Sequence, residues 1–202
     1  MTRGRVIVLS APSGSGKGTV IGKLLSINPH IYPSISYTSR APRHGERDGV
    51  HYYFITQARF QEMISNDELV EWDKYQGDYY GTSKERIRRL LDSGEDIIFD
   101  ITIKGAYAIR AYFPRAALVF LLPPSFKELE RRLRNRKTET EEKIIGRLKE
   151  ARREIMSLDK FDYYIINEDI EIAARRLDAI ILAEKSHIFP DEAEEIIRRV
   201  TE

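Results

Sequence analysis

The stretch RVIVLSAPSGSGKGTVIGKLL, residues 5–25, constrains this chain more than any other. A short apolar run (5–10) leads into a glycine-bearing loop. An amphipathic helix follows, whose buried side is supplied by Val20, Ile21, Leu24 and Leu25. Gly14 and Gly16 let backbone N–H groups turn inward around an anion, and the helix N-terminus adds positive potential there. Lys17 is then placed to reach the outer phosphates of a nucleotide. The common pattern for such a loop is G-x-x-x-x-G-K-[ST]. Here Ala11 stands for the first glycine and Gly18 for the hydroxyl residue. Strand, two glycines, lysine and helix together argue against a plain turn with a surface lysine. Gly18 has no hydroxyl to offer Mg²⁺, and Thr19 points about 100° further round the helix. Metal anchoring is therefore expected to lean on water and on Asp100, which ends a second apolar strand at the edge where open α/β sheets bind ligands. A carboxylate that only caps or pairs locally is the competing reading of Asp100.

Three more runs read as strands covered on both faces: DIIFDI (96–101), ALVFLL (117–122) and DYYIIN (162–167). The segments between them are long enough for crossover helices, which argues for an α/β layered fold. One helix is expected from about Ser125, with Leu129 and Leu133 on one face. Another follows a capping box formed by Thr138 and Glu141, burying Ile144, Leu148, Ala151 and Ile155. Residues 35–86 break the alternation and read as an inserted subdomain. With 202 residues the chain suits one such domain carrying insertions.

Thirty-three basic residues against 32 acidic ones give no overall pull toward nucleic acid or an acidic membrane, so any anion site must come from local clustering. The absence of cysteine excludes thiolate nucleophiles, disulfides and cysteine zinc sites. No metal-ligand array or nucleophilic triad emerges from His30, His44, His51 and His187. The apolar stretch near the N-terminus is short for a signal segment, and none approaches the ~20 residues that span a bilayer. A cytoplasmic location without a membrane partner is the expectation.

Two other segments carry chemistry. In SISYTSRAPRHGERDGVHYYF (34–54), Arg40 and Arg43 suit a phosphate clamp with directional, charge-assisted hydrogen bonds. Solvated arginines on a polar loop is the alternative if they are taken alone. VEWDKYQGDYYGTS (70–83) adds Glu71, Tyr80 and Thr82. These residue types suit guanine: a carboxylate takes N1–H and the 2-amino group, and hydroxyls of Ser36 or Thr82 donate to O6. Adenine would leave such a pocket unpaired, and a site of this kind discriminates by ~10⁴-fold or more. The arginine-rich stretch 131–154 holds Arg132, Arg136 and Arg147, a composition that suits the charge accumulated in phosphoryl transfer. An exposed helix laced with i,i+4 ion pairs is the bland alternative for most of them.

Together LSAPSGSGKGT (9–19), SYTSRAPRHGERDGVHYYF (36–54), ELVEWDKYQGDYYGTS (68–83), LPPSFKELERRLRNRKTETEE (122–142) and IINEDI (165–170) resemble guanylate kinase over nearly the whole chain, in order and spacing. The resemblance implies transfer of the γ-phosphoryl of ATP to GMP, and to dGMP, with Mg²⁺, in line and without a covalent enzyme intermediate. It implies a P-loop three-layer α/β fold with a parallel core sheet (1–34, 87–127 and 149–202), a mixed α/β GMP-binding insertion (35–86) and a small helical lid (128–148). On the ATP side it implies Ser13, Gly14, Ser15, Gly16, Lys17, Gly18, Thr19 and, near the adenine, Asn167. On the GMP side it implies Ser36, Glu71 and Thr82 at the base, Arg40, Arg43, Tyr52 and Tyr80 at the phosphate, and Gly81 and Asp100 beside them. The catalytic set it implies is Lys17, Arg40, Arg132, Arg136 and Arg147, with Asp100 reaching the metal through water.

There are departures from the family's pattern. Thr102 replaces a second carboxylate after Asp100, Lys104 replaces a glutamine, and Lys137 replaces a glycine after Arg136. Two other readings share these motifs. A guanylate-kinase-like phosphopeptide-binding module has no need of Lys17 and the arginine lid. A kinase acting on a ribose bisphosphate has no need of Ser36, Glu71 and Thr82.

Overall fold

The computed structural model describes residues 4–75, 77–135 and 140–202. In chain order the elements are β1 (Val6–Ser10), α1 (Lys17–Ile27), β2 (Ile31–Pro33), β3 (Tyr37–Thr38), β4 (Tyr53–Phe54), α2 (Gln57–Ser65), β5 (Leu69–Tyr75) and β6 (Asp78–Ser83). After these come α3 (Lys84–Asp92), β7 (Asp96–Asp100), α4 (Ile103–Tyr112), β8 (Ala117–Leu122), α5 (Phe126–Asn135) and α6 (Glu141–Ile155). The chain closes with β9 (Tyr163–Ile166), α7 (Ile170–Lys185) and α8 (Pro190–Thr201).

The core is a five-stranded parallel sheet in the order β2-β7-β1-β8-β9. Successive side chains of a strand point to opposite faces, and both faces are covered. Ile7, Leu9, Ile98, Val119 and Leu121 pack with Val20 and Leu24 of α1 and Leu177 and Ile181 of α7. Val6, Val8, Ile97, Phe99 and Leu118 pack with Ile87 and Leu91 of α3 and Ala106 and Ile109 of α4. This double burial is why the strands read as unbroken apolar runs.

The fifth strand, β2, escaped sequence reading. It is three residues long, ends in a proline, and hydrogen-bonds on one side only, to β7. A proline is tolerated at such an edge, and so short a run has no readable period.

The second sheet is mixed, in the order β4-β3-β6-β5, with its own small core of Phe60, Met63 and Leu69. Helices α5 and α6 pack through Leu129, Leu133, Ile144 and Ala151. The expected capping box needs correction. Helix α6 begins at Glu141 with Thr140 at its N-cap and no side-chain cap hydrogen bond. Thr138 lies outside the described residues. Glu141 instead pairs with Arg134 of α5 at 2.5 Å, tying the two helices together. No helix among the described residues is long and apolar enough to cross a membrane.

The topology puts the ends of β1, β7, β8 and β9 at one carboxyl edge. The glycine loop, Asp100, and Asn167 therefore meet there, as the crevice rule for open α/β sheets requires.

Candidate active site

The loop between β1 and α1 is held from three sides. Gly14 (φ 94°) and Gly16 (φ 89°) adopt the left-handed conformation that turns backbone amides inward. Ser15 N closes the turn onto Pro12 O at 3.1 Å. The buried Asn167, just past β9, donates from Nδ2 to Ser15 O at 2.8 Å. A Cβ added at Gly14 would sit 2.8 Å from Leu133 Cδ2, so α5 closes on the loop only because that position has no side chain. Gly14→Ala meets this clash and an unfavourable backbone together. At about 2 kcal/mol for such strain and ~2–4 °C per kcal/mol in a chain this size, thermal melting should fall by roughly 4–8 °C.

Lys17 opens α1 and crosses to the neighbouring strand. Its Nζ lies 2.7 Å from Ile101 O and 2.8 Å from Asp100 Oδ1. Asp100 keeps 46% of its side chain exposed, so it retains an open face toward solvent. A Cβ at Gly18 would stand 3.9 Å from Asp100 Oδ2, an ordinary contact distance, so the carboxylate lies directly beside the start of α1. Thr19 lines a different cleft, with Gly14, Gly16, Arg132 and Asn167. Among the described residues no group of three or more His, Asp or Glu gathers as a metal cage. One half-open carboxylate beside a phosphate loop fits an Mg²⁺ that arrives on a nucleotide and keeps several waters.

A cavity of about 440 Å³ runs from this lysine into the second sheet, and Ser36, Arg40, Arg43, Tyr52, Tyr80, Gly81 and Asp100 all line it. At one end Thr82 Oγ1 donates to Glu71 Oε1 at 2.7 Å, with Ser36 Oγ 3.4 Å from Thr82 Oγ1. Burial pushes the Glu71 carboxyl up, and the Thr82 hydrogen bond opposes this. Elsewhere along the cavity wall Arg40 lies over the Tyr52 ring, 5.6 Å from its centroid, and the Tyr52 and Tyr80 rings meet edge to face at 5.8 Å.

Glu46, which sequence reasoning passed over, organises the arginine pair. It accepts from Arg40 Nη2 at 2.8 Å and from the Arg43 amide at 2.7 Å. The Arg40 hydrogen bond, followed by that from Arg43, holds the Glu46 carboxyl down to about 2. The available signal was an acidic residue three positions after Arg43 in a turn otherwise rich in bases.

On the opposite side of the loop, Arg147 of α6 donates from Nε to Ser13 Oγ at 3.0 Å, and Glu154 Oε2 accepts from Ser13 N at 3.4 Å. Glu154, also missed, has its carboxyl raised by burial against the opposing Ser13 hydrogen bond. Arg132 reaches Asn167 O at 3.0 Å and Glu128 Oε1 at 2.9 Å. Arg136 and Lys137 lie outside the described residues. Thr102, which replaces the second carboxylate of the family's pattern, lines the cavity and caps α4 by accepting from Gly105 N at 3.2 Å.

The guanylate kinase family model matches residues 3–184. The chain is 46% identical over 185 residues to a guanylate kinase of Carboxydothermus hydrogenoformans, covering 92% of this chain and 91% of that one. It is 46% identical over 182 residues to a guanylate kinase of Halalkalibacterium halodurans, covering 90% and 89% of the two chains. A crystal structure of guanylate kinase from Anaplasma phagocytophilum is similar with a TM-score of 0.72 and 34% identity, covering 91% of this chain and 87% of that one.

Proposed function

The chain belongs to the guanylate kinase family and is an ATP:GMP phosphotransferase, and from that premise we propose how its residues divide the work. The observation that carries the assignment is the single cavity shared by three groups. It holds the carboxylate and hydroxyl set of Ser36 and Glu71, the arginines Arg40 and Arg43, and the loop lysine Lys17. A GMP lying along it puts guanine against Glu71, Ser36 and Thr82, and its phosphate against Arg40, Arg43, Tyr52 and Tyr80. The phosphate then faces Lys17 and the glycine loop. ATP binds on the far side of that loop, with Ser13, Ser15, Gly16, Gly18 and Thr19 around its phosphates and Asn167 and Arg132 beside the cleft next to them.

The chain's own groups position, neutralise and exclude water. A GMP phosphate oxygen attacks the γ-phosphorus in line, that P–O bond forms as the bond to the ADP oxygen breaks, and no enzyme nucleophile intervenes. Lys17 bridges the two halves of the site, so it is the cation placed to follow charge moving between them. Arg147, Arg132 and Arg136 belong to the segment 128–148 proposed as the lid, and their closing would shield the transfer from water. Mg²⁺, bound on ATP with Asp100 contributing through water, would neutralise phosphate charge. Glu46 preorganises Arg40 before substrate arrives.

The test is ADP production from ATP and Mg²⁺ with GMP, dGMP, AMP, IMP or a ribose phosphate as acceptor. GMP and dGMP should support turnover, AMP and the ribose phosphate should not, and chelating the metal should stop the reaction. Folded protein that turns over none of them with ATP would overturn the reading and point to a binding module.

A further inference from the structure

Guanine brings three N–H donors into the cavity, one on N1 and two on the exocyclic 2-amino group. Glu71, whose Oε1 also accepts the Thr82 hydroxyl at 2.7 Å, can take N1–H and the amino hydrogen beside it, but the second amino hydrogen points away from the N1 side and out of its reach. Thr102, across the cavity, has its hydroxyl engaged by the Gly105 amide. A buried donor left without an acceptor costs its full desolvation, so the amino group needs a further oxygen.

The register of the second sheet supplies one. Glu71 pairs with Thr82 and Asp73 with Tyr80, while Trp72 pairs with Gly81 between them. Residues two apart in a strand share a face, and Glu71, Asp73 and Tyr80 all line the same cavity. The Trp72 ring instead lies by Tyr79, with centroids 6.0 Å apart. Asp73 Oδ1 accepts from Lys74 N at 2.9 Å and lies 3.4 Å from Lys104 Nζ, which projects from the first turn of α4. Two carboxylates on one face of a strand repel each other, and a cation beside them offsets that repulsion. Lys104 is that cation. It and Asp73 remain mostly exposed, at 76% and 55%, so the pair stands at the mouth of the cavity rather than in its packing.

We propose that Asp73, held in place by Lys104, is a specificity-determining residue that accepts one hydrogen of the guanine 2-amino group, while Glu71 accepts N1–H and the other. This rests on GMP being the acceptor. It gives the second hydrogen of the 2-amino group its own acceptor, separate from Glu71.

IMP is the discriminating probe, since it is GMP without the 2-amino group. In Asp73→Ala, kcat/KM for GMP should fall about tenfold or more, the loss of one hydrogen bond to a charged group. For IMP it should change less than about twofold, because the lost partner has nothing there to bind. The GMP-to-IMP ratio, taken within one preparation, is insensitive to any loss of folded protein. A ratio equal to that of the unmodified enzyme, whether both substrates are unaffected or both fall together, overturns the role of Asp73. Absence of GMP turnover in the unmodified enzyme overturns the functional assignment as well, so the two failures are told apart.

Discussion

Lys17→Ala is expected to lower kcat for transfer from ATP to GMP by about 10³-fold or more, the scale reported for removing a preorganised charge from a phosphoryl or oxyanion site. The lysine contacts both the Ile101 carbonyl and the Asp100 carboxylate, and it lines the acceptor cavity while starting the helix that follows the phosphate loop. Its removal does two things at once. Charge moving from donor to acceptor loses its bridging cation, and Asp100 is left facing incoming phosphates without that partner. Arg40, Arg43 and Glu71 are untouched, so KM for GMP should move far less than kcat. Stability should barely change, because a partly exposed ion pair contributes only about 0–1 kcal/mol. Single-turnover kinetics with a melting curve decide the matter. A folded variant with kcat within tenfold of the unmodified enzyme would remove Lys17 from the chemistry.

Glu71→Ala should lower kcat/KM for GMP by about 10²-fold, the sum of two hydrogen bonds to a charged group at roughly 1.5 kcal/mol each. The preference for GMP over AMP should collapse with it. The loss is large because the carboxylate is partly buried in the cavity wall, where the base takes the place of water as its partner. Burial also fixes the sign of a pH effect. Raising the carboxyl's pKa means that acidification protonates Glu71 earlier than an ordinary glutamate, converting an acceptor for N1–H into a competing donor. The acid limb of kcat/KM for GMP should therefore carry a contribution at higher pH than an ordinary glutamate would give, and that contribution should be lost in Glu71→Ala. Guanine preference that survives in the folded variant would defeat this assignment.

Much of the architecture was legible because it depends on local pattern. Double-sided burial writes itself as the apolar runs of β1, β7, β8 and β9. The loop is legible because backbone turned around an anion needs glycine at Gly14 and Gly16. The edge strand β2 and the start of α6 were not, since three residues carry no period and a cap depends on how the chain enters the helix. The candidate site divides the same way. Arg40, Arg43, Glu71 and Thr82 stand out only when the motifs around them are read together. Glu46, Glu154 and Asp73 look like ordinary surface acids among many charges.

By itself, then, the sequence determined that strand, phosphate loop and helix follow one another here, that an α/β sheet carries them, and that the chain is similar to guanylate kinases. Tertiary structure alone decided which side chains meet. Asn167 reaches Ser15 across 152 positions, and Arg147 reaches Ser13 across 134. Lys104 reaches Asp73 because α4 packs beside β5. Hydrogen bonds and ion pairs act over a few ångströms, and only the packing of helices on sheets, driven by apolar burial that does not distinguish these polar partners, brings such residues within that range.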